Sequence, residues 1–177
     1  MNDLERSLLE LRDVMHQHGM RGHEPPSEEQ VMATMDRFNI PMLEEIVTWY
    51  RVLEPGSFVI PGGVVKSLER TADLYDEMRL TAMEDFDDPD DRSAVIDWFS
   101  LTVAGHGGIA IWTSPCDGPR LLIWRGSIWD LIPGTRYDQG LSAIVGEWIQ
   151  AWRTGAYIMQ NGRPAHATSE SHKIRLI

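Results

Sequence analysis

The sequence holds one cysteine, Cys116, and a thiol nucleophile built on it would need His106 as its base. Cys116 stands in Pro115-Cys116-Asp117-Gly118, a turn with no neighbouring cation or helix start to lower its pKa, and it reads as a turn residue. Six carboxylates, Glu84, Asp85, Asp87, Asp88, Asp90 and Asp91, fall within eight residues. A calcium loop of the EF-hand kind needs an Asp-x-Asp-x-Asp-Gly ladder and a closing Glu; segment 84–91 has neither and predicts a solvated acidic loop. Gly105-His106-Gly107-Gly108 feeds a strand, whereas a phosphate cradle feeds a helix start. His16, His18 and His23 have no carboxylate or cysteine at supporting spacing and read as solvated. With no Ser/His/Asp order, Walker pattern or paired catalytic carboxylates, the residues predict a binding domain with no catalytic group, metal or cofactor.

The chain has 177 residues and carries 27 acidic against 16 basic side chains, for a net charge of −11. Such a charge repels a nucleic-acid backbone, so direct nucleic-acid binding is not expected and a basic protein partner is the natural complement. Arg153, Arg163, Lys173 and Arg175 against Glu170 leave residues 153–177 at +3, so the preceding residues carry −14. A single cysteine excludes an internal disulfide, suits a reducing compartment, and together with a charged opening segment predicts a cytoplasmic protein. Segment 101–112, broken by His106 and three glycines, is far short of the roughly 20 apolar residues that a membrane span needs.

Apolar spacing supplies the elements that must position any site. Leu4, Leu8, Leu11 and Met15 predict a helix closed by Gly19. Ser27 and Gln30 form a capping-box signature ahead of Val31, Met35 and Phe38, and Asn39-Ile40-Pro41 ends that helix. Pro41 is placed to open the next one, with Leu43, Ile46, Val47 and Tyr50 buried, up to Glu54-Pro55-Gly56. A short strand over 57–60 and the turn Pro61-Gly62-Gly63 lead to a helix from Ser67 that buries Leu68, Ala72, Tyr75 and Met78. Segments 98–103, 109–112, 121–124 and 128–132 read as strands whose short connections predict an antiparallel sheet. The helix predicted over 138–154, with Leu141, Ile144, Val145, Trp148, Ile149 and Trp152 in one stripe, is expected to pack on that sheet through its tryptophans. Most of the seven tryptophans are expected to serve the core. The tail from Ala156 onward reads either as a weak hairpin around Asn161-Gly162 or as loose chain.

Four of these landmarks, taken in order, resemble the SUKH superfamily of Smi/Knr-type proteins. They are the helix opening at Pro25-Pro26-Ser27-Glu28-Glu29-Gln30-Val31 with its Ile40-Pro41 step, the strand at Phe58 before the helix from Ser67, Trp98-Phe99 followed by Gly107-Gly108-Ile109-Ala110-Ile111, and the closing helix with Trp148. Leu53-Glu54-Pro55-Gly56 and Trp112-Thr113 depart from the Asn-Gly and the Asp common at those places. The resemblance implies an α+β fold, helices packed on a mostly antiparallel sheet in a single domain. Its divisions would be an N-terminal helix and connector over 1–24, the SUKH-like domain over 25–155 and a tail over 156–177. It also implies a non-catalytic immunity protein that binds and neutralises a protein toxin, often a nuclease, of a polymorphic toxin system; related proteins instead serve as regulatory scaffolds. A nuclease must attract phosphates and tends to be basic, which suits an inhibitor of this charge. The acidic residues Glu84, Asp85, Asp87, Asp88, Asp90 and Asp91 are therefore the expected partner-binding surface.

Overall fold

Helix α1 (Asp3–Gln17) buries Leu4, Leu8, Leu11, Val14 and Met15, the stripe its spacing demands. The side chain of Asn2 accepts the Glu5 N–H at 2.7 Å and caps its start. At its end Gly19 takes a φ of +75°, and the N–H groups of Gly19 and Met20 return to His16 and Met15 at 3.0 and 2.9 Å, satisfying two otherwise orphaned carbonyls. In this computed structural model the described residues are 2–61, 63–85, 87, 97–104, 107–114, 120–125, 135–136 and 140–167.

Helix α2 (Glu28–Arg37) opens with the reciprocal Ser27 and Gln30 capping box. Asn39, at a φ of +51°, ends it with the same pair of returning bonds, from Asn39 to Asp36 and from Ile40 to Met35. Helix α3 (Glu44–Val52) has Leu43 as its N-cap, so Pro41 lies outside it and does not open it as expected. Leu43 donates to the Pro41 carbonyl at 2.8 Å, a tight turn that delays the helix by three residues, to Glu44. Its buried face is also rotated from expectation: Ile46, Trp49 and Tyr50 are fully enclosed, while Leu43 and Val47 are only partly covered.

Among the described residues the strands form a six-stranded antiparallel sheet in chain order. They are β1 (Phe58–Ile60), β2 (Gly63–Val65), β3 (Trp98–Ala104), β4 (Gly107–Trp112), β5 (Leu121–Arg125) and β6 (Thr135–Arg136). Strand β2, absent from the expectation, pairs with both β1 and β3, and so joins the predicted short strand to the predicted meander. Segment 128–132 lies outside the described residues. Helix α4 (Leu68–Asp85) connects β2 to β3 and packs on β3, where Tyr75 and Tyr50 both meet Phe99 edge to face. The Tyr50 hydroxyl donates to Thr71 at 3.0 Å, and Tyr75 pairs with Thr113 at 3.1 Å.

Helix α5 (Gly140–Arg153) buries the whole predicted stripe, but the contacts of its tryptophans differ from those expected. Trp148 meets Trp49 of α3 edge to face, and Trp152 donates its indole N–H to the Val59 carbonyl of β1 at 3.1 Å. The reason is α1: its apolar stripe needs a cover, and α5 lies against it, tied at the rim by Arg153 and Glu10 at 2.7 Å. Strands β7 (Tyr157–Gln160) and β8 (Arg163–His166) pair as a hairpin. Its turn residues Asn161 and Gly162 have φ of +54° and +75°, the handedness that a two-residue hairpin connection requires. Tyr157 is buried against Trp152, which draws the hairpin into the same core as α1 and α5. The fold class is α+β, helices on an antiparallel sheet.

Candidate partner-binding surface

Helix α4 turns its apolar stripe inward through Met78 and no further among its described residues. Beyond it Leu80, Met83 and Glu84 are exposed. Helical spacing puts Asp73, Glu77, Leu80 and Glu84 on the face opposite Leu68 and Tyr75, with Asp76 and Met83 to one side of it. Leu80 is 62% exposed and Met83 57%. Leu80 is flanked by carboxylates three and four residues before it, Glu77 and Asp76, and four after it, Glu84, and gains nothing from the fold.

The structure corrects the expected start of the acidic loop: Glu84 and Asp85 are the last residues of α4. Thr81, Ala82, Met83 and Glu84 tolerate a helix, and exposed like charges cost it only tenths of a kcal/mol. Asp87 is exposed beyond the helix, and Asp88, Asp90 and Asp91 lie outside the described residues. Carboxylates at this end oppose the helix dipole, and no basic residue stands in the last turn to compensate. Arg79, one turn earlier, lies over the Tyr75 ring at 5.5 Å. Negative charge and apolar exposure thus coincide where neither helps the helix. Leu80 is offset in phase from Leu68, Ala72, Tyr75 and Met78, a signal that the sequence holds; Met83 shares the phase of Ala72, eleven residues earlier, and is exposed because the buried stripe ends at Met78.

The other chemistry-bearing residues fall elsewhere. Cys116 and His106 lie outside the described residues. His18 stacks on Trp152 with ring centres 4.8 Å apart. His16, expected to be solvated, contacts Glu54 at 2.7 Å through Nε2. The other oxygen of Glu54 accepts the Gly22 N–H at 2.7 Å, so one carboxylate ties the end of α1 and its connector to the end of α3. Among the described residues no group of three or more His, Cys, Asp or Glu side chains is placed to hold a metal ion.

Burial by itself would push the Glu54 carboxyl up, but the Gly22 N–H, the His16 ring and the Arg12 guanidinium outweigh it and hold its pKa below the ordinary value. A carboxyl lowered by folding contributes stability that is present above its unfolded pKa, about 4.3, and is lost as pH falls through the folded value. Unfolding titrations from pH 7 downward should therefore show an acid loss that is smaller in Glu54→Gln. Parallel acid profiles for the two proteins would show that Glu54 does not contribute it.

No protein-family model matches the chain, and no curated protein matches it. Among the described residues no helix is long and apolar enough to cross a membrane.

Proposed function

We propose that this protein is a non-catalytic immunity protein of the SUKH type, which binds and neutralises a basic protein toxin through the outer face of α4 and the acidic segment that follows it. The observation that carries the reading is the exposure of Leu80 and Met83 amid Asp73, Asp76, Glu77 and Glu84. An interface needs an apolar centre to hold a complex and a charged rim to guide its formation, and this face offers both. The α+β fold and the order of landmarks that resembles that superfamily support the same reading.

The test begins with a pull-down from native cells and identification of the toxin that binds. Co-expression should then protect cells from that toxin. Two variants divide the interface by role. Asp87, Asp88, Asp90 and Asp91 all changed to Asn should associate several-fold more slowly at low salt, with the difference closing as the Debye length shrinks from about 10 Å at 0.1 M to about 3 Å at 1 M. Leu80→Ser with Met83→Ser should instead dissociate faster, while its unfolding free energy stays within about 0.5 kcal/mol of the parent because neither side chain is in the core. Parent-like kinetics in both variants across the salt series would remove α4 from the interface. Absence of any protective toxin pairing would remove the immunity reading.

A further inference from the structure

Helix α2 presents a second surface of different make. Its buried residues are Val31 and Met35; the opposite side shows Glu29, Met32, Ala33 and Asp36 in successive turns. Met42, in the connection to α3, closes a shallow hollow beside them. Met32 is 46% exposed and Met42 50%, two of the few large apolar side chains that the described residues leave in water. Glu28, Glu29 and Asp36 rim this hollow, and no cation lines it. The two arginines nearby are committed: Arg51 reaches Glu5 and Glu28 at 2.7 and 2.6 Å, and Arg37 lies over the Phe38 ring at 4.4 Å. Glu29 and Asp36 enter no ion pair among the described residues.

We infer that this hollow docks a basic amphipathic helix of a protein partner, with an apolar side chain seated between Met32 and Met42 and cations on Glu29 and Asp36. Glu29 and Asp36 stand seven residues apart, about 10 Å along the helix. A partner helix with lysine or arginine at positions i and i+7 and leucine at i+3 or i+4 spans the same distance with the same order of charge and apolarity. Methionine suits the floor because its unbranched, polarisable side chain adapts to what enters. The opposite signs select the occupant, since an acidic or neutral helix would leave Glu29 and Asp36 desolvated without a partner. The site is separate from the face of α4, and it stands whether or not the partner is a toxin.

The experiment uses the whole chain with labelled methionine methyl groups and a synthetic helical peptide of about 18 residues of lysine, leucine and alanine. Met32 and Met42 report on the hollow, Met83 on α4, and buried Met15 and Met35 serve as controls. Saturable shifts at Met32 and Met42 with Met15 and Met35 unmoved are expected. Met32→Ser with Met42→Ser, both at exposed positions, should weaken peptide binding at least five-fold, and Glu29→Gln with Asp36→Asn should remove most of its salt dependence. Oligolysine of equal charge should bind at least ten-fold more weakly than the peptide. The inference is overturned by shifts at Met83 alone, by equal affinity for oligolysine, by parent-like binding of the serine variant, or by no binding. Toxin protection plays no part in this readout, so the fate of the immunity reading is decided separately.

Discussion

Replacing Trp152 with alanine should lower the unfolding free energy by about 3 to 5 kcal/mol, the range for emptying a fully buried tryptophan site. For a domain of this size that is a fall in Tm of roughly 6 to 20 °C. Trp152 is 2% exposed and joins three elements: its indole N–H reaches Val59 of β1, its ring meets Tyr157 of β7 edge to face, and His18 beyond α1 stacks on it. Truncation would leave a cavity and an unpaired carbonyl together. Trp152→Phe separates the two losses, since it keeps a ring and forfeits the bond, and should cost about 1 kcal/mol from that bond beyond the packing change. Trp148→Ala should cost a similar 3 to 5 kcal/mol through its edge contact with Trp49. Denaturant midpoints unchanged in both alanine variants would show that α5 is not part of the core.

Gly22→Ala is expected to destabilise by about 1 to 3 kcal/mol, a large effect for one methyl group on a connector. The cause is proximity, not backbone handedness. A Cβ at this position would overlap the carbonyl oxygen of Pro55 and stand 2.7 Å from that of Glu54. Neither oxygen is free to give way: Pro55 accepts the His23 N–H at 2.8 Å, and Glu54 accepts from Ser57 at 3.1 Å. The displacement would also loosen the bond from the Gly22 N–H to the Glu54 carboxylate. Gly19→Ala is the informative companion, because nothing lies within 4 Å of a Cβ there and its cost comes only from a φ of +75°. Equal stability of Gly22→Ala and the parent by denaturant unfolding would refute the close approach.

Local rules made much of this fold legible in the sequence. Ser27 and Gln30 announced their capping box, Asn161-Gly162 its hairpin, and the stripe from Leu141 to Trp152 its helix, because each signal is contained within a few residues. Strand β2 was hidden, since Gly63-Val64-Val65 is too short for alternation to register and depends on pairing with residues near position 103. Pro41 misled because its preference for the first helical turn competes with a tight turn into Leu43. The partner of Trp152 could not be read from spacing, as Val59 lies 93 residues away. The same distance rule hid the role of His16, whose carboxylate comes from the far end of α3. At the candidate surface, the run of acidic residues and the offset phase of Leu80 were plain, but the helical first two members of that run and the exposure of Met83 emerged only once α4 was seen to extend beyond the buried stripe that ends at Met78.

The pairing of α1 with α5 also sets an order of events during synthesis. Leu8 and Leu11 are fully enclosed, and α5 lies against the helix that carries them, yet about 120 residues separate the end of the first helix from the start of the last. At about 5 to 20 residues per second, the ribosome takes roughly 6 to 24 s to cover that interval. Throughout it the leucines of α1 lack the cover that α5 supplies. The nascent chain therefore carries the α5-facing side of α1 uncovered through most of its translation, and that part of the core closes only as α5 and the hairpin after it emerge. A chain interrupted before residue 140 would keep that surface open, which makes it a natural substrate for chaperones and proteases.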